Sequence, residues 1–129
     1  MPGSCCGSNS GETLIFTCAG AAHTGQVANR AGVELATEKE GKLFCVAAVA
    51  AEIPQTLERA RSAKVRVAID GCEDHCCRKL LEKAGLSAEV HIVVTNLGIE
   101  KAPKEPQMIT DAKRTVGAVK EKLATLRAW

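Results

Sequence analysis

Apolar positions along the chain come in two alternating patterns, short unbroken runs and longer stretches at helical spacing. Leu14-Ile15-Phe16-Thr17-Cys18 is a β-prone run followed by a glycine-containing turn, and reads as strand one. From Thr24, read as an N-cap, Val27, Ala28, Ala31 and Leu35 keep helical spacing until Gly41 interrupts it. Residues 42–46 form strand two, and an Ala-rich connection then reaches Pro54, where Leu57, Ala60 and Ala63 mark a second helix before strand three at 65–69. Asp74 is read as the cap of a third helix, whose Cys77, Leu80, Leu81 and Ala84 fall on one face before Gly85 closes it. Residues 89–95 supply strand four. The segment 98–108, with its prolines and charged side chains, reads as an exposed loop, and a last helix from about Thr110 carries Ala112, Val116, Val119, Leu123 and Leu126 on one stripe.

Strands alternating regularly with helices predict an α/β fold, a three-layer arrangement with a four-stranded parallel sheet covered by helices on both faces. The expected strand order is the flavodoxin-like or Rossmann-like 2-1-3-4. At 129 residues and 46% hydrophobic content, the chain is expected to form a single domain over 12–129 behind a flexible Gly/Ser tail at 1–11. A domain of that size folds without disulfide or metal staples, so seven cysteines stand out. With 2% aromatic residues, no tyrosine and a formal net charge of +2, the chain lacks the stacking surface and basic field of a nucleic-acid binder. No apolar run approaches a membrane span and the first residues do not resemble a signal peptide, which points to a cytoplasmic protein with no membrane partner. In a reducing compartment the cysteines are metal ligands, reactive thiols or core residues.

Cys18, Cys45 and Cys72 are separated by 27 residues and 27 again, each at or just beyond the carboxyl end of a predicted strand. In the expected strand order these ends are neighbours, about 4.8 Å apart. Cys76 falls in the first turn of the third helix, so four sulfurs are expected to share one site at the carboxyl edge of the sheet. A helix N-terminus favours thiolate, and soft thiolates select zinc, copper(I) or iron–sulfur over hard cations, with tetrahedral tetrathiolate pointing to zinc. Gly71 allows a sharp turn after strand three. Asp70 is expected to accept a hydrogen bond from the backbone or a ligand, and His75 and His23 are candidates to replace a sulfur or act as acid or base. His91 reads as a satisfied sheet residue, Cys77 as a packing residue, and Arg59, Arg61, Lys64 and Arg66 as solvated surface. Cys5 and Cys6 on the tail read as accessible thiols or auxiliary soft-metal ligands.

Ala68-Ile69-Asp70-Gly71-Cys72, then Cys76 and Lys79-Leu80-Leu81-Glu82-Lys83-Ala84-Gly85, resemble the DGC-domain family of zinc-binding proteins. Cys18-Ala19-Gly20 with Gly25-Gln26-Val27-Ala28 resembles its first cysteine turn, Cys45 its second position, and Asn96-Leu97-Gly98-Ile99-Glu100-Lys101 its segment after strand four. The likeness covers about residues 12–102 and implies that Cys18, Cys45, Cys72 and Cys76 are the zinc ligands. A second likeness, of the Cys18 loop to the nucleophile loop of low-molecular-weight phosphatases and arsenate reductases, breaks at Thr24, where those enzymes carry an arginine six residues after the cysteine.

These readings lead to a cytosolic metal-binding protein with zinc, or another thiophilic metal, as its cofactor. A closed tetrathiolate leaves no position for water, so a structural, sensing or metal-handling role is expected rather than an enzymatic one. The alternative is a thiol redox or sulfur-transfer enzyme using Cys18 or Cys76. The sequence identifies no protein partner.

Overall fold

The computed structural model describes residues 11–128; residues 1–10, with Cys5, Cys6 and the tail expected there, lie outside the described residues. Four parallel strands, β1 (Thr13–Thr17), β2 (Lys42–Phe44), β3 (Val65–Asp70) and β4 (Val90–Val93), form one sheet in the order β2-β1-β3-β4. Helices α1 (His23–Thr37), α2 (Val46–Ala50), α3 (Pro54–Ser62), α4 (Cys76–Lys83) and α5 (Met108–Arg127) follow the strands.

The sheet is buried on both faces because β1 carries no polar alternation. Leu14, Ile15 and Phe16 are all fully buried, as a strand covered on both sides requires. Ile15, Val67 and Ile69 pack with Val27, Ala31 and Leu35 of α1 and with Val116, Val119 and Leu123 of α5. Leu14, Phe16 and Ala68 face the opposite layer, where Val49 of α2, Ala60 of α3, and Cys77 and Leu81 of α4 cover them. The fold is thus a three-layer α/β sandwich, and every strand directs its carboxyl end to one edge.

Local details depart from the sequence reading for identifiable reasons. The Ala-rich stretch after strand two is helical, since Val46-Ala47-Ala48-Val49-Ala50 can form a turn that buries Val49. This shortens β2 to Lys42–Phe44 and puts Cys45 at the N-cap of α2 rather than in a strand. Strand four ends at Val93, where a 3₁₀ turn over Val94–Leu97 takes the chain to Gly98 at φ 83°. Arg59 and Arg66 are not solvated. Arg59 donates from Nε to Glu12 Oε2 at 3.0 Å and stacks 5.3 Å from the Phe44 ring centroid. Arg66 donates to the carbonyls of Ala60 and Ser87 and pairs with Glu89. Among the described residues no helix is long and apolar enough to cross a membrane.

Candidate functional site

The carboxyl edge of the sheet is organised by Asp70, Gly71 and Cys72. Asp70 ends β3 with its side chain 1% exposed, and its carboxylate accepts the backbone N–H groups of Cys77 at 2.7 Å and Arg78 at 3.2 Å. These are orphan donors of the first turn of α4, so a residue at the end of the preceding strand caps the helix. The expected cap, Asp74, does not do so; the N-cap is His75 at φ 54°, without a side-chain cap of its own. His91 Nε2 lies 2.8 Å from Asp70 Oδ2, and because an ionised carboxylate only accepts, this nitrogen carries the proton. His91 is therefore a satisfied sheet residue, and its ring meets that of His75 edge-to-face at 4.9 Å.

Gly71 brings two backbones together. A Cβ there would lie 2.7 Å from Gly25 N, so only glycine lets the β3–α4 turn rest on the start of α1. Gly25 meets the Cys18 turn just as closely, since a Cβ on it would lie 2.7 Å from Gly20 O. Gln26 ties this turn down by donating from Nε2 to Gly20 O at 2.8 Å and Ala19 O at 3.3 Å.

The result is a pocket of about 270 Å³ walled by Cys18, Cys72 and Cys76, with Thr24, Asp74 and Lys101 among its other lining residues. Gly20 N–H donates to Cys18 Sγ at 3.3 Å, and Cys72 Sγ lies 3.7 Å from Asp74 Oδ2. Desolvation, followed by the negative charges of Cys18, Asp70, Asp74 and Cys72, pushes the Cys76 thiol above its ordinary pKa. The helix N-terminus was expected to favour thiolate at this position; desolvation, with the negative charges around it, outweighs that effect. Lys101, exposed beside the pocket, is shifted upward first by the Cys72 thiol and then by Asp74. Its loop is anchored by Ile99, which is buried against the core. Thr24 is fully buried and, among the described residues, its Oγ1 has no hydrogen-bond partner.

Cys45 lies elsewhere. It lines a neighbouring, mainly apolar pocket with Thr17, Asn29 and Leu43. Strand register accounts for the separation: Phe16 stands opposite Phe44 and Ala68, so Cys45 is level with Thr17, one residue short of Cys18, whereas Cys72 extends two residues past Cys18. Equal spacing in sequence does not become equal height in the sheet, and adjacent heights present opposite faces. His23 turns away from the site, its Nε2 2.8 Å from Asp111 Oδ2 on α5. Cys77 is buried in the core beneath α4, and burial raises its thiol strongly.

The pocket's donor chemistry suits a thiophilic ion, because three thiols line it and a cation would offset the desolvation and neighbouring negative charge that oppose ionisation of Cys76. Among the described residues, no group of three or more His, Cys, Asp or Glu side chains is already gathered tightly enough to hold a metal ion.

Comparison with known proteins assigns the family. The DGC domain matches residues 14–119. The anaerobic and virulence modulator AnvM of Pseudomonas aeruginosa is 29% identical over 101 residues, 78% of this chain and 77% of its own. No solved structure matches. The match spans the Cys18 turn, the Asp70-Gly71-Cys72 turn and the start of α4, and the chain belongs to the DGC-domain family.

Proposed function

We propose that this protein is a thiol-based metal-binding regulator, with zinc or another thiophilic ion held by Cys18, Cys72 and Cys76 and with Cys45, which lines the neighbouring pocket, drawn in as the fourth sulfur when the ion binds. The observation that carries the reading is the convergence of the first three on one pocket. Zinc bound there would supply a fixed positive charge that keeps the sulfurs deprotonated. A shell of four sulfurs has no open position for a water nucleophile, which favours sensing or metal handling over hydrolysis. A modulatory role is consistent with the name of the Pseudomonas relative. The raised Cys76 thiol disfavours this residue as a free nucleophile, since little of it is thiolate at neutral pH without a cation.

Anaerobically purified protein should contain about one equivalent of zinc, with a sulfur-dominated X-ray absorption spectrum at the metal edge. Cys72→Ser should weaken zinc binding by about a hundredfold or more. Metal-free purified protein, combined with unchanged zinc affinity in Cys72→Ser, would overturn the proposal.

A further inference from the structure

The Cys18 pocket carries a second chemistry besides its sulfurs. Its wall includes Ala22, Thr24 and Gly25, the first turn of α1. That helix is 15 residues long, starts at an Ala22 N-cap with no side-chain cap, and has no acidic residue in its first turn. Of its leading N–H groups, those of Gly25 and Gln26 bond to Ala22 O, which leaves those of His23 and Thr24 for a ligand, and its dipole favours negative charge at this end. A helix end alone does not make a site.

Thr24 supplies independent support. Buried hydroxyls ordinarily find a partner, as two others here do: Thr17 Oγ1 lies 3.0 Å from Asn29 Oδ1, and Thr115 Oγ1 donates to Asp111 O at 2.9 Å. Thr24 Oγ1 has none. Thr24 also lines the pocket, so a ligand acceptor there would meet a hydroxyl that lacks a partner among the described residues. Lys101, exposed at the pocket's edge, adds an ammonium with three donors.

Donors from three sources around one cavity call for an acceptor that bears negative charge. We propose that this pocket binds a small oxyanion, free or as the end group of a small molecule, with the Thr24 hydroxyl, the leading N–H groups of α1 and Lys101 as its donors. The negative charge of Asp74 and the thiols on the same wall opposes the ligand and sets its affinity in the millimolar range, about 1–10 mM. The anion shares its cavity with the proposed metal but not its donors, since none of these is a sulfur.

The test uses the full-length, reduced, metal-free protein, labelled with ¹⁵N and titrated with inorganic phosphate at constant ionic strength, with chloride as the control anion. Phosphate should produce saturable shifts centred on the amides of residues 20–26. Lys101→Gln and Thr24→Val should each raise the midpoint about fivefold or more. A parallel acetate titration separates sources: comparable midpoints assign a carboxylate-type ligand, and tighter phosphate binding assigns a phosphoryl-type one. Absence of saturable shifts up to about 50 mM phosphate, or midpoints unchanged in both variants, would overturn the proposal. Lys101 is exposed, so Lys101→Gln keeps the test decisive even if Thr24→Val fails to fold.

Discussion

The unpartnered hydroxyl of Thr24 makes an unusual stability prediction: removing it should make the protein more stable. Thr24→Val keeps the shape of the side chain and replaces a fully buried hydroxyl that has no acceptor with a methyl group. A buried polar group without a partner costs about 1–3 kcal/mol, and the lower half of that range applies here because the group is an uncharged hydroxyl. Threonine and valine have nearly equal helix propensities, so the backbone term is small. For 129 residues at about 2.1 cal/mol/K each, the unfolding entropy is about 270 cal/mol/K, and 1 kcal/mol corresponds to about 4 °C in Tm. Thr24→Val should therefore melt about 4–7 °C above the wild type in phosphate-free buffer, measured by circular dichroism or scanning calorimetry. Phosphate at ten times its Kd should raise the wild type by about 1.4 kcal/mol and leave the variant far less changed, closing the gap. A variant that melts at or below the wild-type temperature without phosphate would refute the reasoning, because the hydroxyl would then have a partner in solution.

Two further predictions concern the supports of the site. Asp70→Ala removes the acceptor for Cys77 N–H, Arg78 N–H and the His91 ring from a buried position, and should cost about 3–5 kcal/mol in urea unfolding, enough to unfold a marginal domain. Arg59, with help from Lys42, holds the Glu12 carboxyl below its ordinary pKa of 4.5. The unfolded chain therefore takes up this proton first as pH falls, so the stability from the pair is present above about pH 4.5 and is lost as pH drops through the lower folded value. Arg59→Leu should flatten that loss in urea midpoints measured across the acid range, and an unchanged acid slope would remove Glu12 as its source.

The fold was legible because its signals are local. An unbroken, β-prone Leu14-Ile15-Phe16 run bounded by turn residues reads as a strand covered on both sides, and helical stripes between such runs favour the parallel sheet. The cysteine edge was legible for the same reason, since Cys18, Cys72 and Cys76 each follow or begin an element with a clear boundary. Cys45 was harder to place. Its height depends on which residues of β1 and β2 pair, and that register places Phe44 beside Phe16, with the next residue starting a helix that the Ala-rich stretch had concealed. Lys101 depends on a loop whose course follows the burial of Ile99, and no periodic pattern reports that. The state of Thr24 was out of reach altogether, because it depends on which groups the folded chain packs around that side chain, and no local pattern reports them.

Asp70, Gly71 and Cys72 are neighbours in sequence but act at different distances from the site. Asp70 points into the core and holds the first turn of α4, which sets where Cys76 begins that helix. Gly71 has no side chain, and its absence lets Gly25 and the start of α1 close against the turn, bringing Thr24 to the same wall as the sulfurs. Cys72 alone presents its functional atom to the pocket. The site's two chemistries, soft donors from thiols and hydrogen-bond donors from a helix end, are consequently fastened to one turn of chain. A change at Gly71 should disturb both together, whereas a change at Cys72 acts first on the sulfurs and a change at Thr24 on the anion donors. Separate responses of metal and phosphate binding to Cys72→Ser and Thr24→Val, with a joint loss in Gly71→Ala, are therefore what this geometry requires.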